Sequence, residues 1–342
     1  MRDPLFFVGI FFLVVFGLIV LSSIAPFLFP FYFVYIFLGL LAFYLFSKID
    51  FDIWLIFSKH LYVLSVLFLL LPLLIGQVTR GTVRWIQIGA LTIQPAEIVR
   101  PFILLFFAKY LYERELDIKR IAKSLILLFI PLFLILVQPS LGVTILTAVG
   151  FLGVLIASSV DKKKIGLFFL VALAFLPLGW FILQPYQRAR LTTFLSPSED
   201  PYGSGYNSIQ SMIAVGSGKF FGRGLGEGVQ TQLAFLPERH TDFIFASIAE
   251  EMGFVGAGLV ILGIFFVLFR ITKIAENSKG AEARAFCSGI FLTYLAQSII
   301  HIGMNMGIMP VTGLPLPLVS AGGSSLLATM IALGMVYGAK KV

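Results

Sequence analysis

The residues best suited to chemistry lie in the segment LPERHTDFIFASIAEE, residues 236–251, where a charged, turn-forming stretch runs into a hydrophobic helix. Asp242 stands at this junction, within the predicted first turn of the helix. A carboxylate next to lipid is energetically costly and is usually retained for a function. At a water–membrane boundary it could act on a substrate that is part lipid and part sugar. The alternative is structural, with Asp242 capping the helix and complementing its dipole.

The predicted helix carries a stripe of small residues on the face of Asp242. A neighbouring helix or a ligand can approach such a face closely. The stripe consists of Asp242, Ala246, Ala249, Gly253 and Gly256. Glu250 and Glu251 lie about 12 Å deeper along the helix, and we expect them to pair with polar groups of adjacent helices.

Glu97 and Arg100 follow Pro95, which suits the start of a helix. Their spacing of three residues places them on one helical face, where they could form a buried ion pair. One interpretation is a fixed pair that orients this helix. The other is that the pair lines a polar cavity next to Asp242.

Basic residues on the Asp242 side of the membrane suit an anionic ligand such as a diphosphate. Ser324 belongs to the motif SAGGSS, whose backbone amides could bind an anion at a helix start, although close packing explains the motif equally well. His240, like His301, fits a hydrogen-bonded structural role better than a ligand role. The predicted substrate-binding set is Glu97, Arg100, Arg84, Arg239, Lys219, Arg223, His240 and Ser324, with Arg188 and Arg190 as weaker candidates.

The composition indicates that lipid is the main solvent of the chain. Apolar residues make up 59% of the 342 positions, charged residues make up 12%, and the mean hydropathy is +1.00. A soluble protein of this size could not cover so much apolar surface, so we predict a polytopic membrane protein. The single cysteine, Cys287, excludes an intrachain disulfide framework, and three widely separated histidines disfavour a multi-histidine metal site.

Apolar segments long enough to cross a bilayer predict an all-α protein of about ten transmembrane helices. The first is expected to be a retained helix rather than a cleaved signal peptide. We predict that residues 1–342 form a single integral membrane domain. The approximate spans are 5–24, 29–47, 54–76, 96–112, 124–138, 141–159, 166–184, 242–269, 286–308 and 321–339.

The distribution of basic residues orients these helices. With the N-terminus inside, sixteen lysines and arginines fall in cytoplasmic loops and seven in outer loops, in accord with the positive-inside rule. Both termini are then cytoplasmic, and Asp242 is extracytoplasmic. Two long outer loops follow from this arrangement, at about 77–95 and, before the eighth helix, at about 185–241. Loops of the second length are more often functional than mere spacers.

Three stretches together resemble the signature of the SEDS proteins (shape, elongation, division and sporulation) of the RodA/FtsW type. They are RWIQIGALTIQPAEIVRP at 84–101, YNSIQSMIAVGSGKFFGRGLGEGVQTQLAFLPERHTDFIFASIAEEMG at 206–253, and GIMPVTGLPLPLVSAGGSS at 307–325. The resemblance covers nearly the whole chain, and the order and spacing of the motifs fit. The short termini and the sequence LPERHTDFIFA favour the elongation-type, RodA-like branch.

The resemblance implies a ten-helix peptidoglycan glycosyltransferase that polymerises lipid II, a disaccharide-peptide on undecaprenyl diphosphate, at the outer face of the bacterial inner membrane. It implies that Asp242 is the essential acid, which we expect to act as general base in an inverting transfer. Glu97 and Arg100 match the acidic and basic residues of the family's QPSE-type motif. A class B penicillin-binding protein, which crosslinks the strands, is the expected partner. Cationic side chains or a divalent cation, Mg²⁺ or Mn²⁺, would stabilise the leaving diphosphate.

The chain departs from the family pattern at several positions. Ala96 stands in place of serine, Arg100 in place of the more familiar lysine, Ser140 in place of an aspartate, and Ala321 in place of a common tyrosine. None of these changes removes Asp242. A flippase for lipid-linked precursors and a non-catalytic scaffold remain alternatives, because ionisable groups in an amphipathic cavity suit a transporter equally well.

Overall fold

The computed structural model describes residues 3–79, 82–89, 91–113, 117–158, 166, 184–201, 203, 205–278 and 280–340. Within these residues the chain is predominantly helical. Two 3-10 turns, Pro26–Leu28 and Pro197–Glu199, supplement the α-helices. The helices are α1 (Pro4–Ile24), α2 (Phe29–Lys48), α3 (Phe51–Ile75), α4 (Pro95–Ile98), α5 (Arg100–Tyr112), α6 (Ile118–Val137), α7 (Leu141–Ala157), α8 (Pro185–Leu195), α9 (Tyr206–Ser217), α10 (Val229–Gln232), α11 (Ile244–Glu276), α12 (Ala281–Asn305) and α13 (Gly323–Gly338).

The long helices form a multi-pass membrane bundle. In the described part, α1, α2, α3, α6, α11 and α12 are long and apolar enough to cross a bilayer, and α7 and α13 are shorter apolar helices. Helix α2 packs against α13, α7 packs against α12, and α11 packs against both α1 and α12. The all-α prediction is confirmed, and nine predicted spans overlap described helices, with ends that differ by up to seven residues. The seventh predicted span, 166–184, lies outside the described residues except at its two ends.

The first predicted outer loop, 77–95, contains a small antiparallel sheet of order β1-β2-β3. Its strands are β1 (Gln77–Thr79), β2 (Thr82–Ile88) and β3 (Leu91–Ile93). The Tyr35 hydroxyl accepts a hydrogen bond from the Thr92 amide at 2.7 Å and lies 2.9 Å from the Thr92 carbonyl oxygen, which also accepts one from Ser324 Oγ at 3.0 Å. Strand β3 is thereby fixed to α2 and to the start of α13.

The second predicted loop, 185–241, also contains regular structure, because α8, α9 and α10 all lie within it. Helix α9 packs against α11 and α12. This segment is therefore a folded layer that covers one end of the bundle.

Helix α11 begins at Ile244, so the prediction that Asp242 lies in its first turn is wrong. The N-cap residue is Phe243, and the Ala246 amide in the first turn donates to Asn305 Oδ1 at 2.9 Å. A side chain from α12 thus satisfies an amide that a helix cap would otherwise satisfy.

The predicted stripe of small residues is interrupted at Gly253, which has non-helical backbone angles of φ 64° and ψ −159°. The neighbouring loop replaces the hydrogen bonds that the helix loses there. The amides of Arg223 and Gly224 donate to the carbonyls of Glu250 and Glu251, both at 3.0 Å. In return, the amides of Phe254 and Val255 donate to loop carbonyls at 2.9 and 3.2 Å. The kink and the loop form one hydrogen-bonded unit.

Two buried carboxylates strengthen this unit. The Glu250 carboxylate accepts hydrogen bonds from the amides of Gln230 at 2.8 Å and Thr231 at 3.0 Å, at the start of α10. Glu251 Oε1 accepts bonds from Ser23 Oγ of α1 and Gln232 Nε2, both at 2.8 Å, and from the Gly226 amide at 3.2 Å. The expected pairing with an adjacent helix holds for the bond to Ser23, whereas most partners come from the loop.

A Gly253→Ala substitution should destabilise the protein. A methyl group at this position would meet the Gly222 amide and the Phe220 carbonyl oxygen, the latter at 2.6 Å, and φ is positive. Backbone strain of this kind costs about 1–3 kcal/mol, to which the steric clash adds. Thermal unfolding of the purified protein in detergent measures the effect.

Gly258→Ala is the matched control, because Gly258 lies in the same helix and no atom of the described residues comes within 4 Å of an added methyl group. It should leave the melting temperature unchanged or raise it, since alanine favours helix by about 0.5–1 kcal/mol. Equal melting temperatures for the two variants would show that the kink is not required.

Candidate functional site

Asp242 lines a cavity of about 450 Å³ at the end of the bundle that carries the sheet. The wall combines charged, amide, hydroxyl and apolar groups from several elements. Asp242 itself is half-buried. The lining residues with polar side chains are Arg84, Gln94, Glu97, Ser140, Gln184, Gln187, Arg190, Thr241, Asp242, Thr312 and Ser325.

Three helices, α7, α8 and α13, begin at this cavity. Leu141 and Val143 lie in the first turn of α7, Gln187 lies in the first turn of α8, and Ser325 lies in the first turn of α13. The N-terminal end of a helix carries a partial positive charge and amides without intrahelical partners. The cavity therefore has a positive potential beyond that of its side chains, which favours an anionic ligand.

The main chain that carries Asp242 is held through four consecutive carbonyl groups. The Arg239 carbonyl accepts a hydrogen bond from Ser247 Oγ at 3.2 Å, and the His240 carbonyl accepts one from the Ala321 amide at 2.9 Å. The Thr241 carbonyl accepts one from Ser320 Oγ at 2.8 Å. The Asp242 carbonyl accepts one from Asn305 Nδ2 at 3.0 Å. Groups from α11, α12 and the segment before α13 thus fix the backbone.

Arg190 lies on the same side of the cavity as Asp242. A methyl group built on Gly313 would lie 3.4 Å from Asp242 Oδ2 and 3.9 Å from Arg190 Nη1. Gly313 has φ +70°, so glycine is favoured there by conformation as well as by space. Among the sequence candidates Arg190 was only a weak one, and the structure gives it a more central place.

Arg84 and Glu97 also line the cavity. Arg84 extends from β2 next to the Trp85 ring, with its guanidinium carbon 6.0 Å from the ring centroid. Glu97 is 4% exposed and interacts electrostatically with both Arg84 and Arg100. The cavity therefore contains two carboxylates and two guanidinium groups.

Arg100 is buried behind Glu97 and is not part of the cavity lining. Among the described residues, the two groups do not approach within 4.0 Å, so the predicted direct ion pair is absent. The Nη1 atom of Arg100 is buried and has no hydrogen-bond partner within the described part of the chain. Its charge acts on Glu97 through space in a poorly solvated environment.

The other predicted substrate-binding residues lie away from the lining of the cavity. Arg239 Nε donates to the Ile24 carbonyl at 3.1 Å, and the His240 ring packs edge-on against Phe27. Ser324 Oγ accepts from the Gln94 amide at 2.9 Å, so its hydroxyl joins the start of α13 to β3. Lys219 and Arg223 are exposed on the loop beside the kink of α11. A role in substrate binding remains a prediction for these residues.

Sequence reasoning overlooked several polar residues of the site. Gln94 Nε2 donates to Ser140 Oγ at 3.1 Å, and both residues line the cavity. Ser140 therefore occupies the cavity wall at the position where the family pattern has an aspartate. Asn305 is fully buried and supports both the Asp242 carbonyl and the start of α11. The signal for Asn305 was a polar side chain near the end of an apolar helix.

His301 is a structural residue, as expected from the sequence. Its Nδ1 atom lies 2.7 Å from the Leu314 carbonyl oxygen, so this nitrogen carries the proton and donates. The Gln297 amide group donates to the Pro315 carbonyl at 2.7 Å. Both bonds hold the segment of Leu314 and Pro315, which borders the cavity.

The described residues contain no group of three or more histidine, cysteine, aspartate or glutamate side chains placed to hold a metal ion. The cavity itself provides the carboxylates of Asp242 and Glu97. Magnesium is commonly bound through one or two carboxylates together with substrate phosphates. This donor set fits a divalent cation that is bound jointly with a diphosphate.

The bundle and the charged cavity at one end define a multi-pass membrane protein with a polar binding site. The FtsW/RodA/SpoVE family, described as cell cycle proteins, matches residues 5–342. The chain belongs to this family.

Named relatives agree with this assignment. The peptidoglycan glycosyltransferase MrdB of Escherichia coli K12 is 40% identical over 284 residues, which cover 82% of this chain and 76% of the relative. The probable peptidoglycan glycosyltransferase FtsW of Aliivibrio salmonicida is 36% identical over 323 residues, which cover 90% of this chain and 79% of the relative.

Solved structures are similar over almost the whole chain. One, titled for the structural coordination of polymerization and crosslinking by a peptidoglycan synthase complex, has a TM-score of 0.86 and 32% identity, covering 98% of this chain and 96% of the other. The rod shape determining protein RodA of Thermus thermophilus has a TM-score of 0.75 and 28% identity, with the same coverage.

An Asn305→Ala substitution should lower both stability and activity. It leaves the Ala246 amide and the Asp242 carbonyl without their buried partner, and each unsatisfied group costs about 1–3 kcal/mol. Thermal unfolding reports the stability, and turnover at a temperature where the variant is folded reports the placement of Asp242.

Asn277→Ala is the control, because Asn277 is exposed and its side chain, among the described residues, bonds only the Lys273 carbonyl at the end of its own helix. It should behave like the wild type in both measurements. If Asn305→Ala lost stability but retained full turnover, Asn305 would support the fold without positioning Asp242.

Proposed function

We propose that this protein is a peptidoglycan glycosyltransferase that polymerises lipid II, with Asp242 as the general base. The activity follows from membership of a family whose named relatives are peptidoglycan glycosyltransferases. One observation supports the role of Asp242: its carboxylate lines a cavity with two arginines, and other elements hold its main chain. A carboxylate held in this way can accept a proton without reorganisation of the backbone.

In the proposed reaction, the 4-hydroxyl of the acceptor N-acetylglucosamine attacks the anomeric carbon of the donor sugar. The new bond joins the acceptor oxygen to this carbon, and the bond from the carbon to the diphosphate oxygen breaks, with inversion. Asp242 accepts the hydroxyl proton as the new bond forms, which contributes roughly 10²–10⁴-fold. The diphosphate leaves with the electron pair of the broken bond.

Arg84 and Arg190 are the side chains that we assign to the leaving diphosphate. Both line the cavity, and guanidinium groups bind phosphate oxygens with two parallel hydrogen bonds. The starts of α7, α8 and α13 add favourable potential for an anion. A divalent cation such as Mg²⁺ would be held by the diphosphate with Glu97, and it would neutralise charge on the leaving group.

We further place the cavity on the extracytoplasmic side of the bacterial cytoplasmic membrane. Sixteen basic residues fall in the loops assigned to the cytoplasmic side, and seven fall in the loops on the side of the cavity. This distribution supports the orientation. A class B penicillin-binding protein is the proposed partner, since a similar solved structure is titled as a complex that coordinates polymerization and crosslinking. The elongation-type assignment, favoured by the short termini, remains a prediction.

Purified protein mixed with lipid II in detergent, with gel analysis of the glycan strands, tests the function. The wild type should form polymer, whereas Asp242→Asn and Asp242→Ala should lose about 10²-fold or more of the rate. Folding of each variant is checked by thermal unfolding. Polymer formation by Asp242→Asn at the wild-type rate would disprove the assignment of the base.

The same assay separates the rival functions. A flippase yields no polymer in detergent, because no second leaflet exists there. A scaffold likewise yields no polymer from the wild type, and it tolerates loss of Asp242 in cells. An inactive wild type therefore requires a repeat with the proposed transpeptidase before the enzyme assignment is abandoned.

Arg190→Gln should reduce polymerisation by about 10²-fold, the usual effect of removing one group that stabilises a leaving anion. Arg188→Gln is the matched control, since Arg188 lies on the same helix outside the lining of the cavity. Equal rates for the two variants would remove Arg190 from the proposed diphosphate site.

A further inference from the structure

Lys219 and Arg223 are exposed, and neither lines the Asp242 cavity. Arg223 Nε donates to Ser217 Oγ at 3.2 Å. Within the part of the chain that the structure describes, neither cation forms an ion pair, although Glu227 lies on the same loop. Their charges are therefore available to a ligand from outside.

An exposed aromatic cluster lies between these two cations. Phe220 and Phe221 have 57% and 78% of their surface exposed, and Phe254 of α11 has 68% exposed. Phe220 packs edge-on against Phe221 with ring centroids 4.8 Å apart, and it stacks on Phe254 at 5.7 Å. Water is a poor environment for three large exposed rings that cluster in this way.

The length of α11 places this cluster at a membrane boundary. A helix of 33 residues is about 50 Å long, whereas the hydrocarbon layer is about 30 Å thick and spans about 20 residues. Arg270 pairs with Asp3 near the cytoplasmic end of α11, which marks the inner boundary. Counting outward from Arg270 puts the outer boundary close to Glu250. Phe254 then lies just inside the outer leaflet, and the loop lies at its headgroups.

We propose that Lys219, Arg223 and the ring cluster Phe220–Phe221–Phe254 bind an anionic phospholipid of the outer leaflet. The rings insert among the acyl chains, and the two cations contact the headgroup phosphate. Long basic side chains reach headgroups from such positions while their aliphatic stems stay in the apolar layer. Each cation near an anionic surface should enrich the anionic lipid roughly fivefold.

A membrane phospholipid suits this site better than the diphosphate of the substrate. The stretch of α11 from Ile244 to Met252, about 12 Å long, separates the loop from Asp242. The loop is also rigid, because its backbone exchanges four hydrogen bonds with the kink of α11. Lipid binding at this loop would therefore hold the start of α11 at a fixed height above the bilayer.

Fluorescence quenching tests the proposal without reference to catalysis. A Phe221→Trp variant is placed in vesicles of phosphatidylcholine that contain a small fraction of lipid brominated on its acyl chains. The brominated lipid is either phosphatidylglycerol or phosphatidylcholine. The wild type has three tryptophans, so its fluorescence is measured in parallel and subtracted from that of the variant. The tryptophan at 221 should be quenched by both lipids, and several-fold more efficiently by phosphatidylglycerol.

Adding Lys219→Gln and Arg223→Gln to this variant should abolish the preference while leaving quenching by phosphatidylcholine. The matched control adds Lys119→Gln and Lys123→Gln, two exposed lysines at the other end of the bundle, and should keep the preference. Equal quenching by both lipids in the parent variant would refute the anionic site.

Two other results would also overturn the proposal. Absence of quenching at 221 beyond the wild-type signal would show that the rings lie outside the bilayer and await a protein partner. Loss of the preference on addition of lipid II in amounts far below the phosphatidylglycerol content would assign the site to the substrate. Because the readout needs no turnover, failure here leaves the glycosyltransferase proposal intact, and the converse also holds.

Discussion

The fixation of four consecutive carbonyl groups, from Arg239 to Asp242, is the constraint on which the site depends. In many proteins an aspartate before a helix is held by capping that helix. Here Asn305 satisfies the Ala246 amide instead, and it also holds the Asp242 carbonyl. Placement of the carboxylate in the cavity therefore rests on the packing of α12 and the Ser320 region around this short segment. This arrangement requires that the buried side-chain amide of Asn305 bonds with donors and acceptors on three sides.

The kink of α11 at Gly253 is a second constraint on the structure around the site. A straight helix from Ile244 to Glu276 would satisfy its own backbone and would leave the adjoining loop without partners. With the kink, the loop amides bond to the carbonyls of Glu250 and Glu251, and the carboxylates of these residues bond to further loop amides. Charge-assisted bonds of this type are strong in a poorly solvated environment. The two acids thus act as anchors for the loop.

Much of this arrangement could be predicted from the sequence, because the bilayer imposes a length on each apolar segment. The nine spans within the described residues and the place of Asp242 near the end of one helix followed from that rule and from hydropathy. The motifs around Glu97 and Arg84 also led to the residues that line the cavity. These features depend on local composition, which a single sequence reports directly.

Features that depend on contacts between distant segments could not be predicted in the same way. The helix start at Ile244 is set by Asn305, which is 59 residues from Ala246 along the chain. The kink at Gly253 depends on the loop near Gly222, and nothing in the hydropathy of α11 indicates it. The basic residues show the same limit. Arg190 and Arg223 both belong to the predicted outer loop 185–241, yet one lines the cavity and the other lies at the predicted membrane boundary.

The structure also distinguishes the two carboxylates of the cavity as candidate bases. Glu97 is almost completely buried, and Arg84 and Arg100 lie close enough to interact with its charge. A carboxylate with so little exposed surface is difficult for the hydroxyl group of an incoming sugar to reach. Asp242 is half-buried, and its main chain is held by groups without formal charge. A base must approach an incoming hydroxyl and take up its proton with little change elsewhere. On these grounds Glu97 suits the binding of a cationic or hydroxyl group, and Asp242 suits proton transfer.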